Sequence, residues 1–89
     1  LMEVEELAVG SVNRCPVTVR QIVERALAHG ASAVILAHNH PSGRVEPSDG
    51  DQDLTRTLQA TLANLDIELV EHVIVGDGTY SMLSRQRYA

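Results

Sequence analysis

Two histidines one residue apart, His38 and His40, end the apolar run in AVILAHNHPSGRVEPSDGD (residues 33–51), and Ser48 and Asp51 follow at a short interval. Along an extended chain, residues i and i+2 face the same side with Cα atoms roughly 6–7 Å apart, so two imidazoles at that spacing can converge on one ion. A catalytic zinc site takes three protein ligands from His and Asp or Glu and leaves one position for water. Asp51 supplies the third ligand if the intervening loop folds back, and Pro41, Gly43 and Pro47 are residue types that direct such a return. A plainer reading of the same residues exists. Ser48-Asp49-Gly50-Asp51 is a good helix start, with a serine N-cap and acids near the positive end of the helix dipole. The two readings are compatible, because a helix N-terminus holds Asp51 at a fixed angle.

Hydrolysis at such a site also needs a base to take a proton from water. Most of the remaining acids read as solvated surface. Glu5 stands out because it shares a strand face with Leu7 and Val9, where a carboxylate is costly unless paired or near a metal. Pattern alone does not separate Glu5 from Glu3 or Glu6. His72, between Glu71 and Val73 and grouped by alternation with Val70 and Ile74, reads as a satisfied structural histidine rather than a fourth ligand. His29 falls at a helix end, where it suits the last carbonyls. Cys15 has no evident partner base and reads as a small buried residue rather than a thiol nucleophile.

The elements that must position these residues follow from periodicity. MEVEELAVG reads as a first strand, and residues 11–17 as a connection. Thr18 opens a helix through the capping box TVRQ. Its apolar stripe is Val19, Ile22, Val23, Ala26 and Leu27, and Gly30 stops it. ASAVILAH is a continuous apolar run, expected to be a strand covered on both faces. A second helix is expected over residues 48–64, burying Leu54, Leu58, Thr61, Leu62 and Leu65. IELVEHVIVG is a strand, GDG is hairpin chemistry, and TYSMLS returns as a strand before a polar tail. The order β-α-β-α-β-β indicates an α/β sandwich with a small mixed sheet and an antiparallel hairpin.

The bulk properties bound the rest. Eighty-nine residues make one domain, and 44% hydrophobic with 21% charged residues is an ordinary globular composition. With two Tyr and no Phe or Trp, the core must be aliphatic. A single cysteine rules out an internal disulfide and fits a reducing, cytoplasmic setting. No window is apolar enough to span a bilayer, so no membrane role is expected. Net charge is −5 and all seven cationic side chains are scattered arginines, which disfavours direct nucleic-acid binding by this domain.

The arrangement Glu … His38-Asn39-His40-Pro41 … Ser48-Asp49-Gly50-Asp51 resembles the JAMM (MPN+) metalloprotease motif, a glutamate followed by HxH, seven residues and SxxD. The finer resemblance is to the RadC-like branch. GSVN (residues 10–13) is similar to that family's GTxN element, and ILAHNHPSG (35–43) to its metal loop. EPSDGD (46–51), EHVIVGDG (71–78) and YSMLS (80–84) are similar to its later elements. The resemblance implies a cytidine deaminase-like, JAMM-type three-layer α/β/α sandwich. It implies Zn2+ held by His38, His40 and Asp51, with Ser48 hydrogen-bonding the attacking water or the developing oxyanion. The family's glutamate lies five residues before the glycine of GTxN, which from Gly10 is Glu5. Two departures are Gln21, where the family has Glu after Arg, and the ending Arg87-Tyr88-Ala89 in place of Gly-Leu-Leu. The family normally has strand material before the glutamate, and often a helix-hairpin-helix region, so residues 1–89 read as an excised or truncated C-terminal domain.

The expectation is a zinc hydrolase cleaving a peptide or isopeptide amide of a peptide or protein substrate, with oligomerisation left open. The alternative is a non-catalytic zinc-containing module that recruits partners in DNA repair or recombination, the process with which the RadC-like family is associated.

Overall fold

The structure, a computed structural model, describes residues 18–88. Glu5, the GSVN element, Cys15 and the strand expected at residues 2–10 lie outside them.

Helix α1 (Val19–Ala28) begins with the expected capping box. Thr18 Oγ1 accepts from the Gln21 amide at 3.2 Å, while Gln21 Oε1 accepts from the Thr18 amide at 2.9 Å. Gln21 therefore completes the capping box. Ile22 and Ala26 are buried, and Gly30 ends the helix at φ +62°, a backbone region open to glycine. Leu27, expected in the apolar stripe, is instead 55% exposed.

Strand β1 (Ala33–Asn39) alternates cleanly, turning Val34, Leu36 and His38 inward and Ala33, Ile35, Ala37 and Asn39 outward. The expectation of cover on both faces is not met, since Ile35 is 67% exposed. Helix α2 (Asp49–Asn64) buries Asp51, Thr55, Leu58 and Leu62, a stripe at helical spacing whose first two members are polar. Leu65 caps its end and lies off that stripe. Strand β2 (Glu68–Gly76) pairs parallel with β1, and the hairpin carries the chain into β3 (Gly78–Ser81). The expected polar tail is in fact a further strand, β4 (Gln86–Tyr88), antiparallel to β3. Arg85 turns the chain into it at φ +56°, a non-glycine in the left-handed region, which is why the turn carries no sequence signal.

The four strands run in the order β1-β2-β3-β4, so the sheet is mixed, as expected. One apolar cluster joins Ile22 and Ala26 of α1, Leu58 and Leu62 of α2, Ile67, and Leu69 of β2, with Val34 and Leu36 packed against it. Both helices thus lie on the sheet face opposite Ile35. The fold is an α/β sandwich, to which the described residues contribute the sheet and one helical layer. Among the described residues no helix is long and apolar enough to cross a membrane.

One irregularity matters for the site. Val34 pairs with Leu69, but Ile35 pairs with Glu71, so Val70 is an extra residue in β2. Such a bulge reverses the alternation locally. Leu69, His72 and Ile74 consequently all face the core, while Val70 is 44% exposed. The grouping of His72 with Val70 on one face is thereby corrected.

Candidate metal centre

The inward face of β1 carries His38 as far as the helix layer, and the loop after it returns the chain to α2. That return is pinned by backbone. The His40 amide donates to the Val75 carbonyl at 2.9 Å, and the Gly43 amide to the His40 carbonyl at 3.0 Å. The Asp77 amide donates to the Gly43 carbonyl at 2.6 Å. Gly43 sits at φ +85°, and a Cβ on Gly76 would stand 2.5 Å from the Gly43 carbonyl oxygen, so both positions require glycine. Val45, 1% exposed, anchors the far side of the loop in the interior.

At the start of α2, Ser48 is the N-cap. Its Oγ accepts from the Asp51 amide at 3.0 Å, and its amide donates to Asp51 Oδ2 at 2.8 Å, a reciprocal capping box. The cap and ligand readings of Asp51 therefore coexist, and the cap aims the carboxylate at the histidines. Asp51 Oδ1 lies 3.3 Å from His38 Nδ1, and Oδ2 lies 3.1 Å from His40 Nε2. Ligand atoms of His38, His40 and Asp51 all fall within 4.8 Å of one another, and Asp51 is buried. The two histidine rings meet edge to face, with centroids 4.8 Å apart.

This donor set fits a metal ion. His40 Nδ1 donates to the Arg44 carbonyl at 2.9 Å, which leaves the Nε2 lone pair directed at Asp51. A lone pair and a carboxylate oxygen 3.1 Å apart repel unless a proton or a cation lies between them. His38 Nδ1, also turned to Asp51, is buried without a hydrogen-bond partner. Two imidazoles and one carboxylate are the ligand types of a three-ligand zinc site.

The electrostatics favour the ligating forms. Burial lowers the pKa of His38 against the opposing pull of Asp51, keeping the imidazole neutral. Burial by itself would raise Asp51, but the Ser48 amide and hydroxyl, then His38 and His40, hold it below the ordinary aspartate value.

Around these ligands stand residues that the sequence reading passed over or understated. His72 is completely buried; its ring stacks on His38 with centroids 5.8 Å apart and planes 20° from parallel. Its Nδ1 lies 2.6 Å from Thr55 Oγ1, and its Nε2 is buried without a partner. Thr55 Oγ1 in turn donates to the Asp51 carbonyl at 2.9 Å. His72 lies outside the candidate ligand group, and the expectation of a satisfied side chain is not met, because its Nε2 has no partner. Burial, then the neighbouring His38, lowers its pKa to about 4. Glu71 Oε1 accepts from the His72 amide and from the Leu83 amide, both at 2.9 Å, tying the turn after β3 to β2. Thr55 was detectable, four residues beyond Asp51 on the same helical face. The role of His72 was not, because it depends on the bulge.

The family described as the RadC-like JAB domain matches residues 1–88. A UPF0758 protein of Stenotrophomonas maltophilia (strain K279a) is 51% identical over 78 residues, covering 88% of this chain and 33% of the relative. A UPF0758 protein of Thioalkalivibrio sulfidiphilus is 51% identical over 81 residues, covering 91% and 36%. One of Variovorax paradoxus is 48% identical over 86 residues, covering 96% and 38%. The chain therefore spans about a third of the length of the curated relatives it matches.

Proposed function

The chain belongs to the RadC-like JAB domain family, and from that membership we propose that it is a zinc-dependent hydrolase of the JAMM type, acting on a peptide or isopeptide amide of a protein substrate. The observation that carries the proposal is the convergence of His38, His40 and Asp51, from a strand, a loop and a helix start, on a space bounded by unshared lone pairs. Bound there, Zn2+ would lower the pKa of water toward ~7 and polarise the scissile carbonyl.

The chain's own residues supply the remaining roles. Glu5 is the base that takes the proton from the attacking water and returns it to the leaving amine nitrogen. Ser48 Oγ already accepts from the Asp51 amide and has one hydrogen to give, which we assign to the developing oxyanion. Ser48 is exposed while Asp51 is buried. His40, oriented by the Arg44 carbonyl, holds its ligand nitrogen in one tautomer throughout. An open concavity of about 410 Å³ lies beside His40, lined also by Asn39, Pro41, Gly43, Val75, Gly76 and Asp77, and we assign it to the substrate. Protein partners belong to the same proposal, as does an association with DNA repair through the family.

Metal analysis after purification without chelators tests the first part. Wild-type protein should carry one zinc per chain, and His38→Ala or Asp51→Ala should carry none. Glu5→Gln separates the two functional readings: a hydrolase loses turnover while keeping zinc, whereas a non-catalytic module keeps its partner binding unchanged. Zinc-free wild-type protein would remove the basis for both.

A further inference from the structure

The ligands of the candidate metal centre come from separate elements, and the contacts between them, His38 Nδ1 and His40 Nε2 against the Asp51 carboxylate at 3.3 and 3.1 Å, are the ones a bound ion would replace. His38 is half exposed and makes no hydrogen bond through its buried Nδ1. Behind it, one buried pair touches both elements. His72 stacks its ring on that of His38, and its Nδ1 meets Thr55 Oγ1 at 2.6 Å. Thr55 is one turn beyond Asp51 and donates its hydroxyl hydrogen to the Asp51 carbonyl at 2.9 Å. Because that hydrogen is spent on the carbonyl, the Thr55 oxygen accepts from His72, and the proton on this imidazole resides at Nδ1. The opposite nitrogen, Nε2, is then a lone pair with no partner in the interior.

A residue needed only to fill this volume would be apolar, since leucine there would leave no orphaned nitrogen. We infer that His72 and Thr55 are positioning residues, a buried bridge that sets the His38 ring and the first turn of α2 in mutual register for metal binding. The inference rests on the metal-site reading above. His72 acts through its flat ring, against which His38 is held, and through Thr55, which ties that ring to the backbone of the third ligand. Neither residue need touch the ion, and the ligand group that lies within 4.8 Å excludes His72.

The test uses the whole chain with Co2+ as the probe, reading affinity by competition with a chelator and geometry from the visible ligand-field bands. His72→Leu and Thr55→Val should each weaken Co2+ binding by roughly 10–100-fold, the usual effect of losing an outer support of a metal ligand, with shifted bands. Thr55→Ser, which keeps the hydroxyl, should bind within about threefold of wild type and show its spectrum. Metal-free His72→Leu should melt no lower than wild type, because an unsatisfied buried nitrogen is removed. Affinity and bands unchanged in both His72→Leu and Thr55→Val, with melting temperatures lowered, would show a packing role and overturn the inference. Thr55→Val is nearly isosteric and stands alone if His72→Leu does not fold. Wild-type protein that binds no Co2+ overturns the metal-site reading itself, an outcome distinct from equal binding by wild type and variants.

Discussion

His72 illustrates how a single side chain can be costly and useful at once. Its imidazole is held neutral by burial, with a pKa lowered to about 4 from 6.5. A group whose folded pKa lies below its unfolded value makes the unfolded chain the better proton acceptor, so the native state loses stability as pH falls. The contribution is intact above about pH 6.5, declines as the unfolded chain protonates, and levels off below about pH 4 once the folded protein also binds the proton. A displacement of that size corresponds to roughly 3 kcal/mol. Urea unfolding of metal-free protein between those pH values should show this loss, and His72→Leu should flatten the curve. An equal slope in both proteins would mean that the buried histidine is solvated more readily than its surroundings indicate. His38 shifts in the same direction, chiefly through burial.

The site at the scale of elements depends on how the loop between β1 and α2 is held. Its return is made by backbone hydrogen bonds to the β2–β3 hairpin and by the contact of Gly76 with the Gly43 carbonyl. Gly76→Ala would place a methyl group 2.5 Å from that oxygen and 2.8 Å from its carbonyl carbon, with the buried Val45 Cγ1 at 3.1 Å. We expect a destabilisation of roughly 1–3 kcal/mol, read by denaturant unfolding, together with weaker zinc binding as the loop lifts away from β2. Gly50→Ala is the contrasting case. The added methyl meets only Ser48 Oγ at 3.7 Å, an ordinary contact within α2, and should stabilise by about 0.5–1 kcal/mol through helix propensity. Zinc affinity should be unaltered there, because the Ser48–Asp51 capping box is untouched. If both substitutions weakened zinc binding alike, the hairpin would not be what seats the loop.

Metal and fold should be thermodynamically linked at the scale of the whole molecule, since the ligands are assembled only when β1, the loop and α2 are all in place. Zinc at about a hundred times its dissociation constant stabilises the folded state by about 2.7 kcal/mol. For a domain of this size each kcal/mol moves the melting temperature by roughly 4–8 °C. Calorimetry should therefore show a clear rise with zinc, reversed by EDTA and absent from Asp51→Ala. A melting temperature indifferent to zinc in the wild type would argue against a preformed site.

Much of this was determined by local sequence. The HxH spacing, the Ser48–Asp51 capping box and the Thr18–Gln21 box depend on residues two or three apart, where backbone geometry alone dictates the outcome. The order of elements and the aliphatic core likewise follow from periodicity within each segment. What tertiary structure decided depends on pairing between distant segments. The bulge at Val70 exists only relative to β1, and it turned His72 inward beneath His38. Strand β4 was hidden because three polar residues become a strand only beside β3, after a left-handed turn at Arg85. The exposure of Ile35 and Leu27 depends on which faces neighbouring elements cover, a property of assembly that no single stretch of chain encodes. Local rules thus chose the candidate ligands, and long-range register chose what stands behind them.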